Sequence, residues 1–268
     1  MKTHAIRDWS RDGFYNMAVD ICSMRLVESG AADAVFRTYT WEPHCLSIGR
    51  FQRPCREADV RRLLQDGYHI VRRPTGGRAV WHGDELTYSL TAREDHPLVS
   101  GGIEQSLRNV AGILLAALER VGVKARLSPG KRELTSEGRS HNPCFTSHGI
   151  CEVITDDGRK LVGSAQARSR GVFLEHGSIL FTNQQAKAAD YLPGDTCENK
   201  RENLRRVLAE GVGTVKEYNP EATRIELSQA LHQKFAESVK IEVVPLLSTD
   251  LPGLAGEILE RHGLIETP

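Results

Sequence analysis

Residues 72–90 read Arg72-Arg73-Pro74-Thr75-Gly76-Gly77-Arg78-Ala79-Val80-Trp81-His82-Gly83-Asp84-Glu85-Leu86-Thr87-Tyr88-Ser89-Leu90. This is a basic turn with two glycines, a short apolar strand, a second turn and another strand. Gly76 and Gly77 lack a Cβ, so the backbone there can take positive φ and approach a bound molecule closely. Arg72, Arg73 and Arg78 gather positive charge around the same turn, and an anionic or carbonyl-bearing ligand suits such a cradle. Taken alone, a Thr-Gly-Gly tripeptide also serves as an ordinary β-turn with solvated arginines.

Outward from this stretch, residues 68–73, 78–82 and 86–91 predict three strands of a meander, turning at Thr-Gly-Gly and Gly-Asp-Glu. Upstream, Phe14, Met17, Ala18, Ile21 and Met24 recur at helical spacing, which predicts an amphipathic helix over 13–29 with its apolar face in the core. Strands follow at 35–41 and 45–51, then a short helix at 57–66 closed by Gly67. Downstream, Ile103, Leu107, Val110, Ala111, Leu114, Leu118 and Val121 trace the longest helix, stopped at Gly122 and packed across the sheet. Runs at 151–155, 160–168 and 172–180, joined by Asp-Asp-Gly and Ser-Arg-Gly turns, predict a second antiparallel layer. From Gln184 the pattern is helical, with helices at 198–209 and 223–237, the latter opening on a Thr223/Glu226 capping box. The polar interval 133–143 reads as a mobile loop. Hairpin-linked strands mixed with helices give an α+β protein, not a doubly wound parallel sheet.

The chain has 268 residues, 40% of them hydrophobic and 26% charged, and 35 basic residues balance 35 acidic ones. That length suits one large domain or a domain with a small appendage. Zero net charge argues against a nucleic-acid partner held by counterion release, so any basic patch is local. There is no signal-peptide core and no apolar run of the roughly 20 residues a membrane span needs. The expected location is the cytoplasm, with neither membrane nor nucleic acid as partner. Cys22, Cys45, Cys55, Cys144, Cys151 and Cys197 are scattered, which favours free thiols over a disulfide framework.

A second constellation lies between His141 and Gln166. Cys144 precedes Glu152, and then Gly158-Arg159-Lys160-Leu161-Val162-Gly163-Ser164-Ala165-Gln166 follows. A thiolate attacks a thioester or carbonyl well when neighbouring charge lowers its pKa. Lys160 is the natural neighbour, and it could also donate to an acyl oxygen as negative charge develops. On residue type alone, Cys144 reads more readily as a small buried hydrophobe and Lys160 as a solvated strand lysine. His82 could serve as a general acid or base, or simply pack and hydrogen-bond. His141, Cys144, His148 and Cys151 have side chains that could ligate zinc, although Pro143 restricts the tight fold such a loop would need.

The Arg72–His82 segment is similar to the signature of the biotin and lipoate protein ligase and octanoyltransferase superfamily. Gly158–Gln166 resembles its lysine motif, and Glu175-His176-Gly177-Ser178-Ile179-Leu180 the strand after it. The similarity runs from Tyr15–Asp20 through Thr38–Trp41 and Cys45–Gly49 to Leu180. A Cys-Phe pair ahead of the lysine resembles the cysteine-dependent octanoyltransferases. The resemblance implies a large mixed or antiparallel sheet and a smaller second sheet enclosing an acyl pocket, flanked by helices. It also implies a catalytic acyltransferase domain over 1–190, with a mainly helical extension, 191–268, packed on it.

In the implied site, Cys144 carries the acyl group and Lys160 is its partner. Arg73, Thr75, Gly76, Gly77, Arg78, His82, Gly163, Ser164 and Ala165 bind the substrate. The implied donor is an acyl carrier protein or another acyl thioester, the acceptor a lysine of a lipoyl-domain protein, and no cofactor is needed. One departure is Cys151, where the superfamily places an aromatic residue before the glutamate. Two alternatives share the cradle: a ligase using ATP and magnesium to make an acyl-adenylate, and a non-catalytic module that binds and hands over lipoate or acyl groups.

Overall fold

The computed structural model describes residues 2–129, 151–240 and 242–263. Its centre is a six-stranded mixed sheet in the order β11-β1-β2-β6-β10-β9. These strands are β1 (Thr3–Arg7), β2 (Ala34–Tyr39), β6 (Glu85–Arg93), β9 (Val162–Ser169), β10 (Val172–Leu180) and β11 (Val243–Pro245). β11, β1 and β2 run parallel, and every pairing from β2 to β9 is antiparallel. A smaller sheet sets β3 (Cys45–Ile48) between β4 (His69–Arg72) and β5 (Val80–His82), and β7 (Ala125–Leu127) pairs with β8 (Val153–Thr155). The expected α+β architecture of a larger mixed sheet, a smaller one and flanking helices is what the chain adopts.

The strand pairings differ from the sequence expectation. Strands β4, β5 and β6 are no meander: β3 lies between β4 and β5, parallel to the first and antiparallel to the second, and β6 belongs to the large sheet. Nor do β9 and β10 form a separate layer, because β10 pairs with β6 over its full length. Period-two patterning says which side chains share a face, but it does not say which strand lies alongside. The short helix is also two: α2 (Pro54–Glu57) and α3 (Val60–Gln65), broken where the Asp59 carboxylate caps the Arg62 N–H.

Helix α1 (Gly13–Glu28) starts where the Asp12 side chain accepts from Tyr15 N–H, and packs on β2, β6, β10, β4 and α8 (Leu254–Gly263). With neighbours on several sides it buries polar Asn16, Asp20 and Ser23 as well as its apolar stripe. Across the sheet, α4 (Ile103–Arg120) and α7 (Arg224–Val239) cover Phe36, Leu86, Tyr88, Leu90, Phe173 and Ile179. α5 (Glu198–Glu210) and α6 (Val215–Tyr218) complete the helices. The region after residue 190 is tied to the rest by β11 on β1 and by α7 on α4.

Among the described residues, no helix is long and apolar enough to cross a membrane. The five described cysteines are free thiols. Cys144 and the 133–143 interval lie outside the described residues.

Candidate acyl site

A recess opens between the large and small sheets and spans about 370 Å³ out to its mouth. Its floor is β9 and β10: Gly163, Ser164 and Ala165 beside His176, Gly177 and Ser178. The opposing wall is Ser47, Arg73, Val80 and His82, and Met17, Tyr39, Trp41 and Thr87 close the sides. Five residues expected to bind substrate (Arg73, His82, Gly163, Ser164 and Ala165) therefore meet in one cavity, although β5 and β9 lie in different sheets.

The basic turn is braced from within. The buried Arg73 guanidinium donates to the carbonyls of Gly76 (2.8 and 3.1 Å) and Arg78 (2.6 Å), and to the Ser47 carbonyl and Oγ (both 3.2 Å). Gly77 has φ +90°, and an added Cβ would stand 2.8 Å from Arg73 Nη2, so both conformation and space select glycine. Across from it the Gly49 backbone packs so close that a Cβ there would meet the Gly77 carbonyl oxygen. Arg72 holds the neighbouring loop through the carbonyls of Gly49, Arg50 and Gln52. The sequence reading placed these arginines around a ligand; the structure has Arg72 and Arg73 fixing the backbone of the cradle.

Two buried carboxylate–imidazole–hydroxyl chains support the wall. Glu85 Oε1 lies 2.7 Å from His82 Nδ1, and His82 Nε2 lies 2.7 Å from Ser47 Oγ. A carboxylate only accepts, so Nδ1 donates to Glu85, and Nε2 shares the second hydrogen bond with the Ser47 hydroxyl. Thr87 and Ser178 hydroxyls also donate to Glu85 Oε1, at 2.7 and 2.6 Å. Trp41 stacks on His82 at 3.9 Å and donates its indole N–H to Thr87 Oγ1.

The second chain runs from Asp20 Oδ2 to His176 Nδ1 (3.1 Å) and from His176 Nε2 to Thr75 Oγ1 (2.6 Å). Burial pushes the His176 pKa below its ordinary value against the pull of Asp20, so the ring stays neutral. Burial would raise Asp20, but His176, Arg37 and Ser89 outweigh it and hold the carboxyl low. Arg37 is itself fully buried, donating to Asp8 (2.8 Å), Asp20 (3.3 Å) and Asn16. Thr75 thus does not line the cavity directly; it anchors the turn to the floor.

Behind the floor, Tyr88 crosses β10 at Gly177, where a Cβ would lie 2.7 Å from both the Tyr88 ring and Ser164 Oγ. The phenol bridges Ser164 Oγ (2.8 Å) and Glu175 Oε1 (2.9 Å). Burial pushes the Glu175 carboxyl up to about 8, overriding the opposing pull of Tyr88 and Arg168. Glu175 therefore remains protonated at neutral pH.

Lys160 sits just before β9, bridged to Ile154 and Val212, instead of starting the strand as expected. Its side chain is 1% exposed and its Nζ lies 2.6 Å from Glu152 Oε1, so it is a buried ion pair and not a solvated lysine. It is not among the residues lining the recess described above. Cys144 lies outside the described residues, as do His141 and His148 of the zinc alternative. Among the described residues, no group of three or more His, Cys, Asp or Glu side chains could hold a metal ion.

Sequence reasoning passed over Glu85, Ser47, Arg37 and Asp20 as site residues. Glu85 carries one signal, its position three residues after His82 across a tight turn. Arg37 carries another, being the one charge inside strand β2.

A recess between a small three-stranded sheet, braced by a glycine turn, and the β9–β10 floor of a larger mixed sheet defines a lipoate-ligase-like fold. Its solved neighbours share that fold: the archaeal bi-partite lipoate protein ligase system of Thermoplasma acidophilum (TM-score 0.76, 20% identity, covering 100% of this chain and 93% of that one) and lipoate-protein ligase A bound with ATP (TM-score 0.72, 20% identity, 100% and 95%). The chain belongs to the lipoyl protein ligase A/B catalytic domain family, which matches residues 12–236. It is 34% identical to octanoyltransferase LipM of Staphylococcus aureus over 91% of this chain and 90% of that protein. It is 37% identical to octanoyltransferase LipM of Kyrpidia tusciae over 86% and 85%. These relatives place it among acyltransferases.

Proposed function

We propose that this protein moves an octanoyl or similar medium-chain acyl group from a carrier thioester to a lysine of a lipoyl-domain protein, through a thioester on Cys144. The observation that carries the reading is the 34% identity to an octanoyltransferase over 91% of the chain, together with a recess lined by five of the nine expected binding residues. In the first step the Cys144 thiolate forms a bond to the acyl carbon, and the donor's C–S bond breaks to release its thiol. In the second the acceptor amine forms the amide, and Cys144 leaves as the thiolate while the amine proton goes to solvent. Thioester to amide runs downhill, so neither step calls for ATP or another cofactor.

Lys160 is the proposed electrostatic partner, its ammonium held in place by Glu152. Arg73, Thr75, Gly76, Gly77 and Arg78 form the cradle for the acyl head, and His82, Gly163, Ser164 and Ala165 flank the chain. The catalytic unit is assigned to 1–190, because the lining of the recess ends at Ser178; residues 191–268 pack around it. Cytoplasmic residence accords with an intracellular carrier and acceptor.

The ligase and the non-catalytic module remain the rival readings, and the fold neighbours favour the ligase only as fold. The test is octanoyl transfer from octanoyl carrier protein to a lipoyl domain, followed by mass of the acceptor, with and without ATP and magnesium. Transfer without ATP is expected, with Lys160→Ala slower by about 10². Transfer only with ATP would establish the ligase, and no transfer at all the binding module.

A further inference from the structure

A surface beside the recess has a composition at odds with the neutral chain. Residues 50–56 read Arg50-Phe51-Gln52-Arg53-Pro54-Cys55-Arg56, three arginines ahead of the first carboxylate, Glu57. Arg50, Arg53 and Arg56 are exposed and make no ion pair among the described residues. Phe51 is 87% exposed, the most exposed large apolar side chain among the described residues, with the Arg50 guanidinium 5.7 Å over its ring. An exposed aromatic ring beside three exposed arginines has the composition enriched at docking surfaces.

This segment is built into the cradle. Arg50 N–H donates to the Thr75 carbonyl at 2.8 Å, Gly49 packs on Gly77, and Arg72 ties three carbonyls of residues 49–52 to β4. Gln52 turns its side chain back onto Gly49 N–H (2.8 Å). The backbone that carries Phe51 is therefore tied to the Thr75–Gly77 turn, with Arg53 following it at the N-cap of α2 and Arg56 within that helix.

We propose that the Arg50–Arg56 surface docks the acyl donor: an acidic carrier protein whose acyl thioester hangs on a phosphodiester-linked arm. The inference rests on the acyl-transfer reading above. Guanidinium forks match phosphate and carboxylate oxygens bidentately, and Phe51 supplies the apolar contact that gives such an encounter its register. The phosphodiester favours the donor over the acceptor, whose reacting lysine carries no such group.

The test compares wild type with Arg53→Glu/Arg56→Glu and with Phe51→Ala. Affinity for octanoyl carrier protein is measured by titration calorimetry at two salt concentrations, alongside transfer from octanoyl-N-acetylcysteamine, a thioester with neither phosphate nor protein. The double reversal should weaken carrier binding about tenfold or more and flatten its salt dependence. Phe51→Ala should weaken it at either salt. Transfer from the small thioester and the KM for the lipoyl-domain acceptor should stay unchanged, which also reports an intact fold. Carrier binding unaffected by both variants, or a rise in the acceptor KM instead, would overturn the assignment. Failure of the wild type to transfer octanoyl from either donor would instead count against the acyl-transfer reading, which the binding readout does not use.

Discussion

On the α4 and α7 side of the central sheet, Phe36, Leu86, Leu90, Phe173 and Ile179 pack into one apolar cluster, whereas the other side of the same strands carries Arg37, Thr87, Ser89, His176 and Ser178. Alternation along each strand makes this division possible. The apolar face can hold the sheet together through burial, which leaves the other face free to carry hydrogen-bonded groups whose geometry fixes a cavity. Such groups contribute little net stability and are costly to leave unmatched. On the apolar side, Thr38, hydrogen-bonded to Ser228 and His232 of α7, and Glu175, a carboxyl kept neutral by burial, depart from this division.

The largest effect expected from this contrast is at Arg37. Arg37→Met leaves Asp8 and Asp20 buried without their cation, so stability should fall by about 3–5 kcal/mol in urea unfolding. Octanoyl transfer should fall with it, because Asp20 also holds His176 and through it Thr75. Loss of stability with the recess chemistry intact would mean that the polar face is only structural.

On the opposite face, Leu90→Ala removes a fully buried side chain and should cost about 2–4 kcal/mol, yet leave transfer per folded molecule near wild type at low temperature. A loss of turnover beyond the loss of folded protein would break the division between the faces.

A smaller, pH-dependent effect belongs to Glu175. Its folded pKa is raised from the ordinary 4.5 to about 8. The stability it contributes is therefore full below about 4.5 and is lost as pH rises through about 8, because the unfolded carboxyl ionises first. Glu175→Gln keeps a neutral partner for Tyr88 and removes that loss. Its unfolding free energy relative to wild type should rise between pH 5 and pH 8, and parallel curves would show that Glu175 ionises normally.

Much of the site was legible in the sequence because its chemistry is concentrated in contiguous stretches: residues 72–82 supply the cradle and wall, and 158–166 the lysine and floor. Less legible was what holds them. His82 and Glu85 join Ser47 across the small sheet, and His176 joins Asp20 on α1, contacts between residues far apart that no local pattern encodes. The strands themselves were mostly visible, but their pairing was not, since β3 entering between β4 and β5 is a tertiary choice. Strand β1, with its polar His4 and Arg7, and β11, three residues ending in Pro245, are too short and mixed to show a period; they form because neighbouring strands offer open edges. Helix α8 went unread for a related reason. Its contact with α1 takes few apolar residues, among them Leu254 and Ile258.

The central claim is covalent transfer through Cys144, and intact-protein mass spectrometry after incubation with octanoyl carrier protein and no ATP tests it most directly. The account predicts one octanoyl adduct, mapped by peptide digestion to Cys144, removed by added lipoyl domain and absent from Cys144→Ala. An adduct that persists in Cys144→Ala, or transfer to the lipoyl domain by that variant at the wild-type rate, would contradict it.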